Sequence, residues 1–352
     1  AADSRRQPAE RGGGHAQPTA PRRKPGPTYL ALCRRLHGTA HGPFEELPPD
    51  LGSQDHSYPH THLPAGLLRA LLPGLRPAFL VEVGSFKGGS ALRIADAVLE
   101  ATPEAEDTPC LLCIDTFLGD AGMWLERNPG WRGWLELEGG HPQLYRRFLA
   151  NTQRRREVIL PLPLASLSAL RAVQHLALQG AVPLPDFIYL DSAHEKGETL
   201  LEITQAFALL APGGVLLGDD LDWPAVESDL RAFLLTGPGL AGPEDALLSG
   251  VPGLFHSAEG YWILDSNPRQ WLLRKGLCQD SSSVPALRAH VQLEEGGESP
   301  AEYLPLTPQD RAALELYEEA VALAEAGHAA EAAVLFKRAA SLSSSLAFHF
   351  GL

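Results

Sequence analysis

From Ala78 to Leu264 the chain repeats one pattern: a short apolar run, then a helix-like stretch, then another apolar run. The runs are "AFLVEVG", "PCLLCIDTF", "EVILPL", "PDFIYLD" and "GGVLLGDD". The predicted helices between and after them are Ser90–Leu99, Pro142–Asn151, Leu167–Leu178, Gly197–Leu210 and Trp223–Phe233. The runs do not alternate apolar with polar, so each is a strand buried on both faces. Strands of that kind, joined by helices, form a parallel sheet covered on both sides. A closing stretch, "GLFHSAEGYWIL", reads as a hairpin and makes the sheet mixed, with seven strands. With 352 residues, 44% of them hydrophobic, the chain can bury such a core and still carry appendages.

The flanks are different. Residues 1–27 are rich in Pro, Gly, Arg and Ala without periodicity and read as a disordered basic arm. Residues 28–75 read as helical and loop segments: a short helix at Tyr29–His37, a loop over Gly42–Leu63, and a helix at Leu63–Leu72 ended by Pro73-Gly74. The sheet domain is placed at 76–268 and a linker at 269–305. Residues 306–345 hold two helical runs resembling one tetratricopeptide-type hairpin, with Leu316, Tyr317, Ala320, Gly327, Ala332, Phe336 and Ala339 in the pattern. A lone hairpin cannot bury its own face, so it implies docking on the main domain, on a partner protein or on a second copy.

Charge narrows the partners. Residues 1–40 hold eight basic and two acidic residues, a net +6, which leaves −20 for the rest of a chain of formal charge −14. An acidic body argues against broad nucleic-acid binding. No apolar run reaches the length of a membrane span, so the expectation is a soluble protein of the cytoplasm or an organellar matrix. The start at Ala1 and the single Met123 read as a processed or truncated product. Cys110 and Cys113 form a CxxC, but inside a predicted strand they face opposite sides, so burial is expected and not metal or redox chemistry.

The chemistry gathers at strand ends. "Val81-Glu82-Val83-Gly84-Ser85-Phe86-Lys87-Gly88-Gly89-Ser90" gives G-x-x-x-G-G. It is neither the dinucleotide fingerprint nor a P-loop. Glu82 beside it would repel a phosphate but suits a ligand with an ammonium group, such as S-adenosylmethionine. Asp115 ends the second strand, where a carboxylate can accept both ribose hydroxyls of a nucleoside. Asp191 ends the fourth strand, and Asp219 and Asp220 end the fifth. Three carboxylates on one rim are costly without a cation, and hard oxygen donors suit Mg²⁺, Mn²⁺ or Ca²⁺. Trp124, Trp131 and Trp134 crowd into one loop after the second strand, as a lid or aromatic wall would.

These motifs, with "IDTFLGDAGMW", "YLDSAHEKGETLLEI", "LAPGGVLLGDDLDW" and "GYWIL", make residues 78–265 resemble a class I S-adenosylmethionine-dependent methyltransferase of Rossmann-like fold. The likeness is to metal-dependent small-molecule O-methyltransferases related to macrocin O-methyltransferase and the cephalosporin-hydroxylase type. The resemblance implies that Glu82, Gly84, Ser85, Gly88, Gly89 and Ser90 surround the methionine part of the cofactor. It also implies that Asp115, Thr116 and Phe117 take the adenosine, and that Ser166 closes the adenine pocket. Asp191, Asp219 and Asp220 would be metal ligands, and His194, with Asp191, would be catalytic.

The expected function is therefore methyl transfer to a hydroxyl oxygen of a small-molecule acceptor, assisted by Mg²⁺ or a similar cation. The alternative is a non-catalytic methyltransferase-like subunit used for assembly. An NAD-linked oxidoreductase would need the phosphate-cradling turn that this chain lacks.

Overall fold

The computed structural model describes residues 23–46 and 61–277, apart from 104, 193 and 237, and scattered residues between 312 and 338. The chain divides into two compact units, Ala1–Val284 and Pro285–Leu352.

In the first unit the elements run α1 (Pro27–Leu32), α2 (Ala65–Leu75), β1 (Phe79–Val83), α3 (Gly89–Ala101), β2 (Cys110–Asp115) and α4 (Ala121–Trp124). Next come α5 (Leu144–Thr152), β3 (Ile159–Pro163), α6 (Ser166–Leu178), β4 (Phe187–Leu190), α7 (Glu198–Leu209) and β5 (Val215–Gly218). The last are α8 (Pro224–Leu234), β6 (Leu254–His256), β7 (Trp262–Leu264) and β8 (Gln270–Arg274). The sheet order is β3-β2-β1-β4-β5-β8-β7-β6. The first five strands are parallel, and β6, β7 and β8 pair antiparallel. The order of the strands reverses between β1 and β4, and because they are parallel their carboxyl ends open on one rim, where open α/β sheets bind ligands.

Both faces are covered. Val81, Leu112 and Ile188 lie in one core cluster with residues of α6, α7 and α8. Leu80, Leu111 and Phe187 lie in the other, with residues of α2, α3 and α5. Cys110 belongs to the first cluster and Cys113 to the second, both fully buried as free thiols. The CxxC therefore splits across the sheet, as strand geometry requires.

Three expectations change. The sheet has eight strands, not seven. The extra strand, β8, lies beyond the expected boundary at 268 and sits between β5 and the hairpin. Gly218 makes room for it, because a Cβ there would lie 2.0 Å from the indole of Trp271, its partner across the β5–β8 pair. Helix α2 runs through Pro73-Gly74 to Leu75, with Arg76 capping it in the left-handed region. A proline so near the end costs few helical hydrogen bonds, and Arg76 N still reaches Leu72 O at 2.8 Å. The first helix is α only to Leu32 and continues as a π-helical turn over Cys33–His37.

Within the stretch read as a disordered arm, residues 23–27 fall in the described structure, Pro27 opening α1, and Arg23 donates to the carbonyls of Thr102 and Pro103. Residues 1–22 lie outside the described residues, as does Cys278. In the second unit, Ala312, Glu315, Leu316, Glu319 and Leu323 are helical before His328, and Glu331, Val334, Leu335, Lys337 and Arg338 after it. Of the repeat-pattern residues only Leu316 is among the described ones. No helix among the described residues is long and apolar enough to cross a membrane.

Candidate active site

The rim is built from the turns after β1, β2, β4 and β5. After β1 the chain enters the left-handed region at Gly84, φ 89°. A Cβ on Gly84 would lie 1.8 Å from the Asp191 carbonyl oxygen, so only glycine lets the ends of β1 and β4 meet. Glu82 is fully buried beneath this turn. Its Oε2 accepts from Ser85 Oγ at 2.6 Å, whereas its buried Oε1 has no hydrogen-bond partner. Loss of hydration pushes the Glu82 carboxyl up to about 7, offset only in part by the Ser85 hydrogen bond and the nearby Ser90 and Cys113 side chains.

Asp115, at the end of β2, accepts from Phe86 N at 2.8 Å through Oδ2 and from Phe117 N at 2.6 Å through Oδ1. It ties the glycine turn to its own loop. Thr116 is exposed beside it. The ring of Phe117 turns into the core, 5.1 Å from Tyr145 and 5.2 Å from Phe148. Its contribution to the rim is thus its backbone. Ser166 opens α6 and hydrogen-bonds Glu202 on α7, which Ser192 also reaches at 2.7 Å. The structure brings Glu82, Gly84, Ser85, Ser90 and Asp115 together, but engages Ser166 with α7.

The acidic cluster is arranged differently from the expectation of three equal carboxylates. Donor atoms of Asp191, His194 and Asp220 all lie within 4.8 Å of one another. His194 Nε2 is 2.7 Å from Asp220 Oδ2, and its ring lies 5.0 Å from that of Trp223. Asp219 faces inward: Tyr189 OH donates to its Oδ2 at 3.0 Å, and Asp220 N and Gln270 Nε2 reach its Oδ1 at 2.9 and 3.4 Å. Asp220 has φ 54°, a left-handed backbone rare outside glycine, and this turns its side chain toward His194.

Burial, then the charges of Asp219 and Asp220, push Asp191 up to about 8. Asp219 is raised by burial and by Asp220. For His194, burial pulls downward, but the hydrogen bond it donates to Asp220 and the surrounding carboxylates outweigh it, and the net shift is upward. Below the cluster is a cavity of about 10 Å³, room for one water, lined by Asp191, Ser192, Glu202, Asp219 and Trp271 among others.

Tyr189 is the rim residue that the sequence reading missed. Its hydroxyl lies between Asp219 and Asp191, 3.2 Å from the latter. The period of two in "Tyr189-Leu190-Asp191" was the available signal, since it puts both side chains on one face of β4. Gln270 could not have been found, because it lies on the strand placed outside the domain.

The tryptophan loop holds α4 and a 3₁₀ turn over Trp131–Leu135. Trp131 and Trp134 stack with centroids 5.4 Å apart, and Trp124 donates to Leu118 O. Arg127 reaches across to Glu195 at 2.9 Å, beside His194.

No protein with a curated description matches the chain. Among solved structures, one similar chain is the O-methyltransferase TomG from Streptomyces achromogenes, involved in tomaymycin synthesis and solved with S-adenosylmethionine. It is 16% identical, with 70% of this chain and 87% of that one covered and a TM-score of 0.35. Another is an O-methyltransferase from Bacillus cereus solved with S-adenosylhomocysteine, 15% identical, with 70% and 90% covered and a TM-score of 0.32. A family model described as a methyltransferase domain matches residues 81–221, the stretch from β1 to just past β5 that contains Glu82, Asp115 and the whole acidic cluster. Residues 81–221 are thus similar to a methyltransferase domain, and they lie on a mixed, largely parallel sheet of Rossmann-like order.

Proposed function

We propose that the domain transfers the methyl group of S-adenosylmethionine to a hydroxyl oxygen of a small-molecule acceptor, with a hard divalent cation at the acidic cluster. The observation that carries this reading is Glu82 Oε1, a fully buried carboxylate oxygen with no partner, under a glycine turn. An unpaired buried acceptor calls for a donor, and a carboxylate there calls for a cationic one. The ammonium of the cofactor's methionine part fits that demand, and Asp115, at the end of β2, is the carboxylate that would accept from the ribose. When bound, S-adenosylmethionine supplies a sulfonium methyl carbon open to in-line attack by an oxygen lone pair.

The other end of the rim fits acceptor activation. Asp191 and Asp220 would hold the cation, whose charge offsets the repulsion that raises Asp191. A hard cation there would polarise the acceptor hydroxyl. His194 takes the hydroxyl proton on a ring nitrogen, and Asp220, 2.7 Å away, stabilises the imidazolium that results. The helical second unit is read as a hairpin for docking on a partner or a second copy.

Calorimetric titration with S-adenosylhomocysteine tests the reading. The folded protein should bind it, and Glu82→Gln should weaken binding by about 10- to 100-fold, the worth of a charge-assisted hydrogen bond. A folded parent that does not bind it sinks the proposal. Glu82 also sets a pH signature. Its folded value of about 7 lies above the ordinary 4.5, so the ligand-free fold holds the proton more tightly than the unfolded chain. Stability therefore falls as pH rises from 4.5 through 7, by at most about 3 kcal/mol. Glu82→Gln should flatten that loss in urea denaturation followed between pH 5 and 8.

A further inference from the structure

The glycine turn carries a buried lysine that the proposed chemistry does not use. Lys87 is 4% exposed. Its Nζ lies 2.7 Å from Oε1 of Glu136, the residue that ends the tryptophan 3₁₀ turn. The same carboxylate receives Arg147 from α5, with Nη2 at 2.7 Å and Nε at 2.9 Å from Oε2. Burial alone would raise the Glu136 carboxyl, but Arg147 and Lys87 overcome it and hold it below its ordinary value. Glu136 adopts φ 48°, a strained backbone for a residue with a side chain, and this conformation accompanies a carboxylate aimed inward.

A second contact runs alongside, since Phe86 meets Trp134 with centroids 6.4 Å apart. Phe86 is in turn fixed by Asp115 through its backbone N–H. At its far side the loop reaches Glu195, beside His194, through Arg127. The loop is thus fastened at one side to the turn that would receive the cofactor and at the other to the acid-bearing turn.

We propose that Glu136 is a positioning residue that makes the glycine turn and the tryptophan lid one mechanical unit, so that a ligand on the turn orders the lid. This rests on the proposed function, because the ligand is the cofactor. A buried lysine from the turn and a part-buried arginine from α5 converge on one carboxylate, so displacing the turn from the lid would strand the Lys87 charge, and the two parts must move together.

Amide hydrogen exchange with and without saturating S-adenosylhomocysteine tests it. In the parent the ligand should slow exchange both in residues 84–90 and in the lid, residues 118–141, the latter by about tenfold. Glu136→Gln alone would leave Lys87 buried and unpaired and could fail to fold. The double variant Lys87→Met, Glu136→Gln removes the buried lysine charge together with its carboxylate, and leaves Arg147, which solvent reaches, to hydrogen-bond the new amide oxygen. In it the ligand should still bind and protect the turn, while lid protection disappears. Undiminished lid protection in the double variant overturns the proposal. So does loss of ligand binding by that variant, or a parent that binds without lid protection. A parent that does not bind the ligand at all overturns the functional reading, and the coupling with it.

Discussion

Gly84→Ala should lower the stability of the domain by about 3 kcal/mol or more, measured by urea denaturation. Two costs combine. The backbone at φ 89° is disfavoured for any residue with a Cβ. The new methyl would also stand 1.8 Å from the Asp191 carbonyl oxygen and 2.4 Å from its carbon. Both are backbone atoms, and neither can swing away as a long side chain would. The Asp191 N–H is bonded to Val83 O at 2.9 Å, which locks the two strand ends together at that point. Relief therefore requires opening the β1–β4 pair, and opening it displaces Asp191 from His194 and Asp220. A loss under about 1 kcal/mol would show that the strand ends yield and that the glycine is not required for their approach.

That glycine was legible as part of a ligand turn, yet its strictest constraint comes from Asp191, a residue 107 positions away. The difference shows what the sequence exposes. Strands β1 to β5 could be read because each is a continuous apolar run, and their helices shifted by only a residue or two at the ends. Local periodicity carries that much. Strand β8 could not be read, because nothing local says that "QWLLR" crosses back to pair with β5. The signals for it are Gly218 and Trp271, which explain each other only once they are neighbours. The pairing of Lys87 with Glu136 is hidden for the same reason, since charge in a turn ordinarily reads as solvated surface.

The "GDD" at 218–220 shows a finer limit. Both acids lie just past the end of β5, so strand alternation does not decide where they point. The sequence named both as metal ligands. The left-handed backbone at Asp220 separates them: Asp219 turns to Tyr189 and Gln270, and Asp220 turns to His194.

The separation gives the second large prediction, in which the two neighbours behave oppositely. Asp220→Asn should lower the methylation rate by about 10²- to 10⁴-fold, the range for loss of a partner in general-base catalysis. The rate is measured with labelled S-adenosylmethionine and an acceptor found by screening. The same variant should lose the rise in melting temperature that Mg²⁺ or Mn²⁺ gives the parent. Yet without cation it should be as stable as the parent or more so. Asp220 raises both Asp191 and Asp219 through its charge, and the amide removes that repulsion. Asp219→Asn should instead destabilise the cation-free protein, although it too removes a charge that raises Asp191, because it breaks more hydrogen bonds. Its carboxylate accepts from Tyr189, Gln270 and the Asp220 backbone. Breaking that buried network should cost about 1–3 kcal/mol. A residue kept only for folding loses stability when replaced; one kept for chemistry can gain it. If Asp220→Asn keeps its rate and its response to divalent ions, the cation proposed at this rim is not held by Asp220, and His194 does not depend on it.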